Sequence, residues 1–239
     1  MYDTARLLDS YRKESEDRAE IIDRGDAAGT VILVVADGVG GRESGGPAAE
    51  RAVTMVREAA TGSESLRVDR PEAWHSLLHE IDDALAADPG CGQTTLAAVA
   101  VTPRRLVGAS VGDSEAWWID ADGHFDLTGG QRRKPHLGTG AAEVIPFSLP
   151  APSGSGTLLV ASDGLFKYTP PERILDAIAA AASGGEAENL DAVAKRLADL
   201  ARLSSGQLLD DIALLLCRRE GSGSPRGGLA DRFRRLFRR

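Results

Sequence analysis

Cysteine is nearly absent: only Cys91 and Cys217, far apart in a chain of 239 residues. That excludes a disulfide framework and suits a reducing compartment, so a cytoplasmic location is expected. No apolar run approaches the roughly 20 residues of a membrane span. The opening stretch MYDTARLLDSYRKESED is charged early and lacks an apolar h-region, which argues against a signal peptide. Two phosphate-cradling signatures are also missing. There is no G-K-[ST] for a P-loop, and in the G-x-G-x-x-G template Gly38 and Gly40 fit but the third glycine falls on Glu43. No fixed-period repeat is visible.

What is present is an ordinary globular composition, 42% hydrophobic, and enough chain for one large domain with a real core. Net charge is −8 but unevenly spread. From Gly221 onward six arginines face one aspartate, a local +5, which leaves −13 on the body. An acidic body argues against nucleic acid as the main partner and is compatible with a site that collects cations. Composition marks 220–228 (EGSGSPRGG) as a flexible linker. In 229–239, Leu229, Phe233, Leu236 and Phe237 fall at i, i+4, i+7 and i+8 among arginines. This is a short basic amphipathic tail of the kind that meets an anionic membrane surface, here the inner membrane face, or an acidic partner.

The body, residues 1–219, alternates strand meanders with helix pairs. TVILVVA (30–36), TTLAAVAV (94–101), RLVGASVGD (105–113), EAWWID (115–120), TLLVASDG (157–164) and DIALLLCRR (211–219) read as strands. Helices are expected at 47–60, at 71–87, and as two in succession at PERILDAIAAAAS and AENLDAVAKRLADLARL. This segregation predicts an α+β fold: two packed antiparallel sheets flanked by helix pairs, a four-layer α-β-β-α sandwich.

Residues 31–46, VILVVADGVGGRESGG, deliver Asp37 from an apolar strand into a glycine-rich loop. Asp163 ends another such strand in VASDG. Asp210 and Asp211 open the last one, Asp113 lies in SVGDSEAW, and Glu16 and Asp17 lie in KESEDRAEII. An Asp-Gly after a strand is by itself a turn signal. Several strand-terminal carboxylates on neighbouring strands repel one another, however, and a hard divalent cation is the usual remedy. All-oxygen ligands favour Mg²⁺ or Mn²⁺ over zinc. Elsewhere, His75 and His79 read as surface histidines on one helical face, Trp117 and Trp118 alternate across a strand, and Cys217 reads as an inert buried thiol.

RKESED, ADGVGGRESGGPAA, CGQTTLAAVAV, VGDSEAWWI, LLVASDGLF and DDIALLL occur in the order of the motifs of the metal-dependent (PPM-type, type 2C) serine/threonine protein phosphatases. The chain resembles that family over about residues 8–219. The resemblance implies the α-β-β-α sandwich and a site for two Mg²⁺ or Mn²⁺ ions. In it Asp37 bridges the ions, the Gly38 carbonyl is a ligand to one, and Asp163 and Asp210 complete the other. Glu16 and Asp17 act near the first ion, partly through water, and Asp113 matches a third, weaker metal position. Arg12 matches an arginine that binds the substrate phosphate. The implied reaction is hydrolysis of phosphoserine or phosphothreonine by a metal-activated water, with a phosphorylated kinase as a natural substrate. The alternative is a pseudophosphatase, the same fold binding a phosphoprotein without turnover. The chain departs from the family at Val39, where some members carry histidine, at Ser15 and Glu115, and at Asp211, where asparagine is common and should therefore be tolerated. The stretch from Asp120 to Thr157 leaves little room for a flap beside the site.

Overall fold

Six consecutive residues, Val31–Ala36, are buried, and the reason is that both faces of their strand are covered. Val31, Leu33 and Val35 point into one apolar cluster, while Ile32, Val34 and Ala36 point into another. A strand packed on both sides reads as a continuous apolar run rather than an alternating one. The computed structural model describes residues 2–11, 14–39, 45–62, 66–152, 155–182 and 188–219.

In chain order the elements are β1 (Tyr2–Asp9), β2 (Arg18–Asp23), β3 (Val31–Ala36), β4 (Gly38–Val39), α1 (Gly45–Thr61), α2 (Pro71–Ala86), β5 (Gln93–Thr94), β6 (Leu96–Val101), β7 (Arg105–Val111) and β8 (Glu115–Asp120). There follow β9 (Gly123–Asp126), β10 (Ile145–Pro150), β11 (Gly156–Ala161), α3 (Asp163–Phe166), α4 (Pro171–Ala182), α5 (Leu190–Leu200) and β12 (Ile212–Arg219). One sheet has the order β1-β12-β11-β8-β9 and the other β10-β7-β6-β3-β2, with β4 and β5 forming a small ladder. All pairings are antiparallel. In β1 and β12 the register runs from Tyr2 opposite Arg219 to Asp9 opposite Ile212.

The layers follow from where the apolar side chains go. Leu33, Val99, Trp118, Val160 and Leu215 fill the space between the sheets. Helices α1 and α2 cover the second sheet through Ala52, Val56, Trp74, Leu78 and Ile81. Helices α4 and α5 cover the first through Ile174, Ile178, Val193 and Leu197. The four-layer sandwich expected from the sequence is the observed fold. Trp117 and Trp118 part as their alternation requires, Trp117 toward the helices and Trp118 between the sheets. Burial pushes the Cys217 thiol up to about 12, so it is inert. His75 and His79 meet at 3.3 Å on an exposed helix face.

Between β9 and β10 the chain forms no helix or strand. Among the described residues no helix is long and apolar enough to cross a membrane. The proposed linker at 220–228 and the basic tail at 229–239 lie outside the described residues.

Candidate metal centre

Asp37 is the first residue past β3, and the neighbouring strands fix its backbone. Its N–H donates to the Thr95 hydroxyl at 3.0 Å. Its carbonyl accepts the Thr94 hydroxyl and the Thr95 N–H, each at 2.9 Å. Thr95 Oγ1 in turn meets Ser114 Oγ at 2.7 Å, beside Asp113. Thr94, Thr95 and Ser114 are fully buried, so these hydroxyls have protein partners in place of water.

Asp17, just before β2, is brought in by a hydroxyl as well. Its buried carboxylate accepts the Ser162 Oγ–H at 2.7 Å. Ser162 also accepts the Ala213 N–H at 3.0 Å and donates its own N–H to the Ala213 carbonyl at 2.9 Å. One serine thereby ties the ends of β11 and β12 to a residue of the opposite sheet. Asp163 follows it and opens α3, while Asp210 and Asp211 lead into β12.

Two glycines make the approach of these segments feasible. A Cβ at Gly164 would lie 2.0 Å from the Asp211 carbonyl oxygen, and one at Gly38 would lie 2.4 Å from the Gly45 backbone and 2.8 Å from the Glu16 carbonyl oxygen. Only glycine permits such backbone contact. Glu16 is held by its backbone: its N–H donates to Asp211 Oδ2 at 3.0 Å, while Asp211 Oδ1 accepts the Tyr11 N–H at 2.7 Å. The buried Asp211 carboxylate thus holds Tyr11 and Glu16, which flank Arg12 in the chain. Arg12 itself lies outside the described residues, as do Gly40 and Gly41.

The electrostatics report crowding of like charge. Burial, then the charges of Asp17, Asp163 and Asp210, push the Asp37 carboxyl up to about 9. Burial, opposed by the Ser162 hydrogen bond, pushes Asp17 up to about 7, with Asp211 and Asp210 adding to the rise. Asp163 is raised by burial first and then by Asp113, with Lys167 pulling the other way. Asp17, Asp37, Asp113, Asp163 and Asp210 are therefore brought into one field.

Such a set of oxygen donors fits hard divalent cations, and its mutual repulsion is what they relieve. Among the described residues no three His, Cys, Asp or Glu side chains close into a finished metal cage.

Several residues of the centre carry no individual role in the sequence reading. The hydroxyls of Thr95, Ser114 and Ser162 sit inside its motifs, so the motifs themselves are their signal. Lys167 places Nζ 3.6 Å from Asp210 Oδ2. Asp82, on α2, accepts the N–H groups of Gly138, Thr139 and Gly140 on Oδ1 at 2.7 to 3.0 Å, and that of Ala142 on Oδ2 at 2.8 Å. It thereby pins the loop whose Leu137 bridges Thr94, the residue that holds the Asp37 carbonyl. Its signal is a carboxylate in the apolar stripe, four residues after Leu78 and three before Leu85.

Comparison with known proteins adds three findings. The family model described as Stage II sporulation protein E matches residues 27–220. Protein phosphatase PhpP of Streptococcus pneumoniae is 26% identical over 128 residues, 51% of this chain and 52% of PhpP. The chain thus spans about half the length of the curated relatives it matches. Among solved structures, a bacterial serine phosphatase superposes with TM-score 0.78 at 19% identity, covering 94% of this chain and 100% of that one. Serine/threonine phosphatase Stp1 from Staphylococcus aureus gives 0.76 at 20% identity, covering 92% and 96%. The catalytic domain of serine/threonine protein phosphatase PstP, solved with two manganese ions, gives 0.70 at 21%, covering 92% and 99%. At these identities the likeness is one of fold.

Proposed function

Because the chain belongs to the Stage II sporulation protein E family, among the PPM-type phosphatases, we propose that it is a metal-dependent phosphoprotein phosphatase acting on phosphoserine and phosphothreonine. The catalytic body is residues 1–219. The observation that carries this reading is the convergence of Asp17, Asp37, Asp163 and Asp210, from both sheets, into a buried field that drives two of the carboxyls far above their ordinary range. A protein that only binds phosphate has no use for four converging carboxylates. The pseudophosphatase alternative calls for missing metal ligands, and the sequence lacks none of the expected carboxylates.

Asp37 would hold both ions, with the Gly38 carbonyl and Asp17 toward one and Asp163 and Asp210 toward the other. Asp113 would serve a third position and Glu16 the first ion through water. Bound Mg²⁺ or Mn²⁺ supplies charge neutralisation and a water nucleophile at neutral pH. The chain's own part is positioning. Thr94 and Thr95 fix the Asp37 backbone, Ser162 orients the Asp17 carboxylate, and Asp211 holds Tyr11 and Glu16 on either side of Arg12 in the chain, whose guanidinium would bind phosphoryl oxygens. A phosphorylated kinase is a fitting substrate. The basic segment 229–239 would attach the otherwise cytoplasmic enzyme to an anionic membrane face or an acidic partner.

The test is hydrolysis of p-nitrophenyl phosphate and of a phosphothreonine peptide, with and without Mn²⁺, by the wild type and Asp37→Asn. Expected is Mn²⁺-dependent turnover that the substitution lowers by orders of magnitude at unchanged circular dichroism. Asn is nearly isosteric with the protonated carboxyl present at position 37 at neutral pH, so the metal-free fold should survive. Mn²⁺-dependent turnover retained by Asp37→Asn would remove the bridging role.

A further inference from the structure

Lys167 reaches one of the carboxylates proposed above to hold a metal ion. Its N–H closes on the Asp163 carbonyl at 2.8 Å, so its side chain springs from the turn that Asp163 opens. Its ammonium lies 3.6 Å from Asp210 Oδ2 and 5.2 Å from the centre of the Tyr168 ring. At 3.6 Å the contact with Asp210 is an ion pair without a short hydrogen bond. The Lys167 side chain is 51% exposed and that of Asp210 38%, so the lysine is free to leave without disturbing the core.

A divalent ion on the Asp163–Asp210 side would be repelled by this ammonium, a penalty reduced but not removed by its half-exposure. We propose that Lys167 is the internal counter-ion of this side of the centre: it neutralises Asp210 in the metal-free protein, must be displaced before a divalent cation binds there, and so sets how much metal the centre requires. The inference rests on the metal-dependent reading above. It assigns the lysine to metal occupancy rather than to the chemical step.

Calorimetric titration of Mn²⁺ into the full chain tests this without measuring turnover, using wild type, Lys167→Met and Lys167→Arg. Methionine keeps most of the side-chain length and removes the charge, while arginine keeps the charge. Lys167→Met should bind Mn²⁺ about threefold to tenfold more tightly than wild type, the range expected for releasing a half-exposed ion pair and its repulsion of the incoming cation. Lys167→Arg should remain close to wild type. Equal or weaker binding by Lys167→Met overturns the proposal, and so does equal tightening by both variants, which would trace the effect to shape rather than charge. If wild type and Lys167→Met bind Mn²⁺ alike, only this inference falls. If wild type binds no Mn²⁺, the metal-dependent reading falls with it.

Discussion

Asp211 accepts an N–H on each of its oxygens, from Tyr11 on Oδ1 and from Glu16 on Oδ2. An asparagine, though common at this position in the family, offers one acceptor and turns an NH₂ toward the other donor. The resemblance implied that the exchange is harmless; the two-sided grip says otherwise. Asp211→Asn should cost about 1 kcal/mol, as expected for a part-buried donor left facing no acceptor, and should weaken the hold on the residues that flank Arg12 in the chain. Urea denaturation reads the first effect. A raised KM for phosphopeptide with smaller loss of kcat reads the second, and a variant indistinguishable from wild type in both would show that the loop is held by other means. At this scale the sequence was informative about charge and silent about hydrogen bonds. Asp37, Asp163 and Asp210 stood out because a carboxylate ending an apolar strand is conspicuous. Ser162, Thr95 and Ser114 did not, because a small hydroxyl flanked by apolar residues looks the same whether it braces a carboxylate or merely fits.

Among elements, legibility followed position in the sheet. The strands read from sequence, β3, β6, β7, β8, β11 and β12, are the interior ones. Those left unread, β1, β2, β9 and β10, are the four edges. Interior strands are packed on both faces and read as apolar runs. Edge strands bury less and carry charges or prolines: β1 is largely half-exposed, and β10 bears Pro146 and Pro150. The loop after β9 was equally opaque, because its anchor is a single distant side chain. Asp82 collects four backbone N–H groups. Asp82→Ala should cost about 1–3 kcal/mol, since one buried and three part-buried N–H groups lose their acceptor together. Turnover should also fall, through the Leu137–Thr94–Asp37 connection, although Asp82 lies outside the carboxylate field. Thermal melting alongside p-nitrophenyl phosphate turnover checks this; full activity in a clearly destabilised variant would sever the connection.

For the whole molecule, the crowded carboxylates tie stability to pH and metal. Asp37 and Asp17 keep their protons in the folded, metal-free state to about 9 and about 7, from a starting value of 3.8. The unfolded chain has already released them at neutral pH, so the folded state binds more protons and stability falls as pH rises. The loss begins above the ordinary carboxylate range and is complete above the raised Asp37 value. Above pH 7 His136, whose pKa burial lowers, is already neutral and does not contribute. Melting temperature in EDTA should therefore drop between pH 7 and 8.5, while the increment given by saturating Mn²⁺ should grow over the same interval. An increment that shrinks with pH would mean the carboxylates are not the groups the metal neutralises. The carboxylates come from both sheets, so this dependence belongs to the sandwich as a unit.

The register of β1 against β12 sets a direction on the molecule. Asp9 opposite Ile212 lies at the end beside the carboxylates, and Tyr2 opposite Arg219 lies at the far end. Seven residue steps separate the two ends, about 23 Å at the usual strand rise. Tyr2 and Arg219 therefore lie side by side at the pole opposite the carboxylates. A molecule moored by that pole, to a lipid surface or to another protein, would face its substrates outward. The length of the tether, rather than the shape of the mouth, would then decide how far from the mooring a phosphorylated residue can be reached.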